Sequence, residues 1–188
     1  MPHISVDAQM PGIFGLFNYR PETAKPLLEF CEALLRDDNS LSRGERELIA
    51  GHVSNLNASP FCANGHFAIA AAQMDDGESI VDGVRSRKAD TAISPKMKAL
   101  LDIATKVTAD GKTVRGSDVA KAREAGATER EVHDTVLITA AFAMFNRYVD
   151  GLDAVVPKDP DFYRSMAAGL ISQGYAAATN SRTEREPA

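Results

Sequence analysis

From residue 21 onward the apolar residues of this chain recur at helical spacing, and no stretch alternates convincingly with a period of two. Over 21–36, Leu27, Phe30, Cys31, Leu34 and Leu35 make an i, i+3, i+4 stripe. Ser42-x-x-Glu45 reads as a capping box that opens a second helix, fading near residue 56. Ser59-Pro60 opens a third, to about residue 74, and a short fourth is expected over 78–87. Ser94-Pro95 starts a helix that Gly111 ends, and a short one follows over 117–125. Thr128 caps the longest, to about residue 150, and Pro157 and Pro160 break the chain before a last helix over 161–178. The Pro- and Gly-rich residues before 21 read as a loop, and the polar residues 179–188 as a frayed, disordered tail. The expected fold is all-α: one helical bundle of about seven to eight helices over 1–178, without an internal linker.

At 188 residues the chain suffices for one well-buried domain. Its formal charge of −5, the absence of tryptophan and the lack of a basic stripe argue against a nucleic-acid partner. Arg85, Arg87 and Lys88 read as a solvated helix end. No apolar run approaches a membrane span, and the N-terminal residues lack the pattern of a secretory signal. Two cysteines are too few for a disulfide scaffold. The expectation is a cytoplasmic protein with two free thiols, no membrane partner and no cofactor.

One of those thiols sits in an unusual place. In NASPFCANGHF, residues 57–67, Ser59 occupies the N-cap and Pro60 the first helical position, so Cys62 falls at N3. The Ser59 hydroxyl is expected to accept an N–H of the first turn beside the sulfur. The partial positive charge of a helix start favours a thiolate, and His66 lies one turn on along the same face. Thiol, helix start and imidazole together describe an activated nucleophile. Core packing is the ordinary role of a cysteine on an apolar helix face, and it is the reading for Cys31. Zinc held by Cys62 and His66 with His52 or Glu47 is a weaker reading: there are four histidines and no second Cys-His cluster, so no metal is expected.

The residues around Cys62 carry a family resemblance. RELIAGHVSNLNASPFCANGHF resembles the signature of the alkylhydroperoxidase D-like branch of the carboxymuconolactone decarboxylase superfamily, and its peroxidase-related subgroup in particular. That pattern sets an acid before an apolar pair, then Ser-x-x-Asn, then Cys-x-aromatic-Cys-x-x-x-His. Here the positions are Glu47, Leu48-Ile49, Ser54, Asn57, Ser59, Phe61, Cys62 and His66. VLITAAFAMFNRYVDGL, residues 136–152, is similar to the subgroup's late helix through Asn146-Arg147 and Asp150-Gly151-Leu152, and PGIFGLFNYRPE also fits. The resemblance implies an all-helical homo-oligomer, a dimer or larger with a hexamer among the options. It also implies a thiol peroxidase site: Cys62 attacks the peroxide, and His66 and Glu47 relay its proton. Asn57, Ser59, Phe61 and His52 would line that site, with Asn146 and Arg147 as structural or supporting residues.

Two positions strain the pattern. On a helical wheel Glu47 falls opposite the Leu48, Ile49, Val53 and Leu56 stripe, as a solvated acid would. It nevertheless shares its face with Ala50, Gly51 and Ser54, small enough to admit a helix carrying Cys62 and His66. Arg147 falls among Val136, Ala140 and Ala143, where a buried guanidinium would need a carboxylate, either a structural partner or Glu47. The family pattern also has cysteine where this chain has Ser59, so no Cys-x-x-Cys disulfide can close. An outside thiol would then reduce oxidised Cys62, unless Cys31 lies close by. The expected function is a one-cysteine, thiol-dependent peroxidase acting on hydrogen peroxide or small organic hydroperoxides. Two alternatives stand beside it. One is acid/base, decarboxylase-like chemistry on a small lactone or acid, run by His66 and Glu47 without Cys62. The other is a catalytically faded helical scaffold that binds a partner or ligand.

Overall fold

The computed structural model describes residues 1–7 and 9–177. The expected tail over 179–188, and residue 178 before it, lie outside the described residues. Among these residues every regular element is helical, apart from one 3-10 turn at Gly111–Thr113. In chain order the helices are α1 (Ile13–Tyr19), α2 (Pro21–Arg36), α3 (Arg43–Leu56), α4 (Pro60–Ala72), α5 (Gly77–Arg85), α6 (Pro95–Asp110), α7 (Gly116–Glu124), α8 (Glu129–Gly151) and α9 (Pro160–Gln173).

The cap signals act largely where the sequence places them. Ser42 Oγ accepts the Glu45 N–H at 3.1 Å while Glu45 accepts the Ser42 N–H at 2.8 Å, so both halves of the capping box are present. Thr128 and Glu131 repeat the arrangement at the start of α8, and Ser94 accepts the Met97 N–H at 3.1 Å. The nine helices of the described residues exceed the expected number because α1 forms within the stretch read as a loop. It has seven residues, Gly12 as its N-cap and no capping side chain, so nothing local announces it. Burial of Leu16 and Phe17 holds it in place. The last helix stops at Gln173 rather than running on to 178, because Gly174 takes φ +83° and turns the chain away.

The centre of the bundle is α3, buried on every side from Arg46 to Ser54. Leu48, Ile49 and Val53 have no exposure, and burying each such side chain stabilises the fold by roughly 1.5–3 kcal/mol. The turn between α3 and α4 uses Ala58 at φ 54°, and the two helices fold back on each other as a hairpin. Gly51 permits their close approach: a Cβ there would lie 2.6 Å from the Phe67 ring. On the other sides α3 is covered by α6 and α8, while α9 packs on α4. A second, smaller apolar cluster joins Leu16, Phe61, Cys62, Val149, Ala154 and Tyr163, so Cys62 stands where α1, α4, α8 and α9 converge.

Candidate active site

The α3–α4 hairpin brings Glu47 and His66 together. Glu47 Oε2 lies 2.6 Å from His66 Nδ1, and Glu47 Oε1 accepts the Tyr175 hydroxyl at 2.7 Å. Glu47 is 2% exposed, so the solvated acid suggested by the helical wheel is corrected. The small residues on its face let α4 close over it, and two donors compensate for the lost water. A carboxylate in this position holds the imidazole proton on Nδ1 and leaves Nε2 with its lone pair. The imidazole ring is further held edge-on against Phe142, with centroids 4.4 Å apart.

His66 and Cys62 both line a cavity of about 60 Å³, and Phe61, Cys31 and Tyr175 contribute to the same wall. The remaining lining is aliphatic and aromatic, from residues such as Phe14, Phe142, Met166 and Leu170. Cys62 is 5% exposed, and burial pushes its thiol up. The Asn146 amide and the Ser59 hydroxyl favour its charged form, while Asp150 opposes it. The expectation of an easily ionised thiol is therefore corrected: loss of water outweighs the helix start. Cys31 lines the cavity from α2, and burial pushes its thiol up to about 12.

Ser59 stands at the N-cap of α4 but does not cap it. Its hydroxyl donates to Asp150 Oδ1 at 3.0 Å, tying the start of α4 to the end of α8. Burial in turn raises the Asp150 carboxyl above its ordinary range, against the lowering effect of Ser59. Nearby, Asn57 Nδ2 donates to Asn146 Oδ1 at 2.9 Å and Asn146 Nδ2 donates to Ser54 Oγ at 3.0 Å. The two separated motif segments, around 54–66 and around 146–150, thus meet at the sulfur.

Two candidate residues fall elsewhere. His52 lies in a hollow among α3, α5 and α6, lined also by Val84, Arg87 and Thr105, away from Cys62. Thr105 Oγ1 donates to the Leu101 carbonyl, so it accepts from His52 Nε2 at 2.8 Å, and His52 Nδ1 has no partner. Arg147 is exposed and donates to the Ala143 carbonyl of its own helix at 2.8 Å. It needs no buried carboxylate, and Glu47 is already engaged by His66 and Tyr175. The apolar stripe through Arg147 therefore marks an outward strip of α8, not a core face.

His52 has a consequence for stability. Burial, assisted by Arg87, lowers it from 6.5 to about 4. As pH falls below 6.5 the unfolded chain takes up a proton that the folded chain refuses until about pH 4. Stability is therefore lost across that window, by about 3 kcal/mol at its acid end. His52→Gln keeps an N–H for Thr105 and should flatten the decline of Tm between pH 6.5 and 4. Parallel curves for the two proteins would show that His52 does not set it.

The site residue that sequence reasoning missed is Tyr175. The sequence places it in the final helix, where a tyrosine has no reason to meet Glu47. The one available signal was Gly174, which commonly ends a helix and frees the residue after it.

The sequence profile of the carboxymuconolactone decarboxylase family matches residues 21–106, which include Glu47, Cys62 and His66. No curated protein matches this sequence. Among solved structures, the chain is similar to an alkylhydroperoxidase AhpD core, an uncharacterized peroxidase-related protein from Ralstonia eutropha JMP134. The identity is 28%, the TM-score 0.74, and the alignment covers 84% of this chain and 80% of that one. An uncharacterized peroxidase-related protein from Silicibacter sp. TM1040 shares the fold with a TM-score of 0.73 at 22% identity, over 84% of this chain and 80% of its own. Helix order, the motif residues gathered around Cys62 and these likenesses agree: the chain resembles the alkylhydroperoxidase D-like branch of the carboxymuconolactone decarboxylase superfamily.

Proposed function

We propose that the protein is a thiol-dependent peroxidase that reduces hydrogen peroxide or small organic hydroperoxides through Cys62. The observation that carries this reading is the convergence on one cavity of a cysteine and a histidine already held by a buried carboxylate. A thiol raised by burial needs a base at the moment of reaction, and His66 Nε2 is available for that role. The thiolate attacks the peroxide oxygen, the O–O bond breaks, and sulfur becomes a sulfenic acid. The departing alkoxide takes the proton that His66 removed from the thiol, leaving an alcohol or water. One external thiol then displaces water from the sulfenic acid to give a mixed disulfide, and a second restores Cys62 and departs as the oxidised reductant. An external reductant is needed because Ser59 supplies no sulfur and Cys31 holds its proton tightly. We also propose a homo-oligomer, in which a second copy covers the outer strip of α8 that leaves Met144 45% exposed.

The test combines peroxide consumption across a panel of thiol donors with a sulfenic-acid probe under limiting peroxide. Cys62 should be labelled well before Cys31, and consumption should require a thiol. Absence of label on Cys62 at saturating peroxide would sink the reading.

One observation favours a second reading. The Glu47–His66 pair is complete without the sulfur, and the thiol is raised, as suits an acid/base enzyme acting on a small lactone or acid. In that case Cys62 is dispensable for turnover.

A further inference from the structure

The segment that follows α9 enters the site in a way the proton relay does not explain. Gly174, at φ +83°, ends the helix with its α-carbon against Glu32; a Cβ there would lie 2.6 Å from Glu32 Oε2. That carboxylate accepts the Tyr175 N–H at 2.6 Å and the Ala176 N–H at 3.2 Å. Arg36 ties the same end down from α2. Its Nε donates to Glu32 at 2.9 Å, and its terminal nitrogen to the carbonyls of Leu170 and Ile171 at 3.0 and 3.2 Å. The effect is to drive the Tyr175 ring into the interior, where it is 7% exposed and lines the cavity beside Cys62 and His66.

We infer that Tyr175 is a positioning residue of this site: its hydroxyl holds one oxygen of Glu47, so that the other is presented to His66 Nδ1. Both oxygens of Glu47 are then committed, at 2.7 and 2.6 Å, to two donors on different elements. A carboxylate held at one oxygen alone is free to rotate about its last torsion, and the imidazole it orients would swing with it. The direction of the bond is settled by the phenol. Burial and the neighbouring Glu47 raise Tyr175 well above its ordinary range, so it remains protonated and donates. Besides these partners, Glu47 is faced by Cys31 from α2 and Arg46 from α3, with Arg36 acting on the phenol. None of these three is within hydrogen-bonding contact of it.

The inference rests on the proposed relay from Cys62 through His66 to Glu47. Its test is the pH dependence of Cys62 oxidation, followed with the sulfenic-acid probe, in Tyr175→Phe, Glu47→Gln and the double variant. Phenylalanine keeps the ring and removes only the donor. Without that donor one oxygen of Glu47 is no longer held, so its other oxygen is presented less firmly to His66 Nδ1. Cys62 oxidation in Tyr175→Phe should be about tenfold slower than in the parent across the pH profile. Imidazole NMR should show a changed Nδ1–H signal for His66. The double variant should be no slower than Glu47→Gln alone, because Tyr175 acts only through Glu47. A wild-type profile for Tyr175→Phe beside a slow Glu47→Gln would overturn this inference and leave the relay standing. Additive losses in the double variant would also overturn it. Wild-type rates for Glu47→Gln would overturn the relay itself, and the inference with it.

Discussion

Cys62→Ser is expected to abolish peroxide consumption, leaving only the background reaction of peroxide with the thiol donor. The change removes the nucleophile while leaving nearly the same volume in a site 5% exposed, so the fold should survive and Tm should move by only a few degrees. A hydroxyl cannot replace the sulfur in the proposed reaction, whose first step forms a sulfur–oxygen bond and leaves sulfur as a sulfenic acid. The variant also separates the two enzymatic readings. If it still turns over a small lactone or acid at the parent rate, Glu47 and His66 are working without the thiol and the acid/base reading stands in place of the peroxidase. The measurement is peroxide loss at fixed thiol, run beside a Tm to confirm that the variant is folded.

Glu47→Gln is expected to slow Cys62 oxidation by about 10²–10⁴-fold. The reason is a count of donors and acceptors. Glu47 receives two donors, the Tyr175 O–H and the His66 Nδ1–H, at its two oxygens. An amide offers one oxygen and one NH2 group, so one donor must face another donor unless something gives. The least costly adjustment is for His66 to change tautomer and accept at Nδ1. Its other nitrogen is then protonated and cannot take a proton from the thiol. The stability cost should be small, since the shape is kept and no charge is left unpaired. Oxidation of Cys62 at the parent rate in this variant would mean that the carboxylate does not set the tautomer on which the relay depends.

The contrast between Glu47 and His52 shows where reading the chain reached its limit. Both were candidate site residues on the same helix, five residues apart. Periodicity placed both on α3 but could not say which side would meet α4, because α3 is buried all round and has no solvent face to orient it. Gly51 was the informative residue: a missing side chain marks where a neighbouring helix comes close. Arg147 failed for the opposite reason. Its apolar neighbours on α8 form an outward strip, and composition alone does not distinguish a strip facing outward from one facing the core. Ser59 kept its position at the helix start, yet its hydroxyl went to Asp150, 91 residues away. No local rule anticipates a partner that arrives from another helix.

What the sequence by itself determined was local: the helices from residue 21 onward, their capping boxes, the place of Cys62 in the first turn of α4 with His66 one turn on, and the family that this spacing resembles. These follow from interactions among residues a few positions apart, which the linear order displays directly. What only the tertiary structure decided was which groups share a cavity and how much water they lose there. It buried Glu47, turned Tyr175 inward after Gly174, sent His52 to another hollow, and raised the Cys62 thiol where the helix start alone would have lowered it. Burial depends on which helix faces overlap, and that is fixed by packing the whole chain at once.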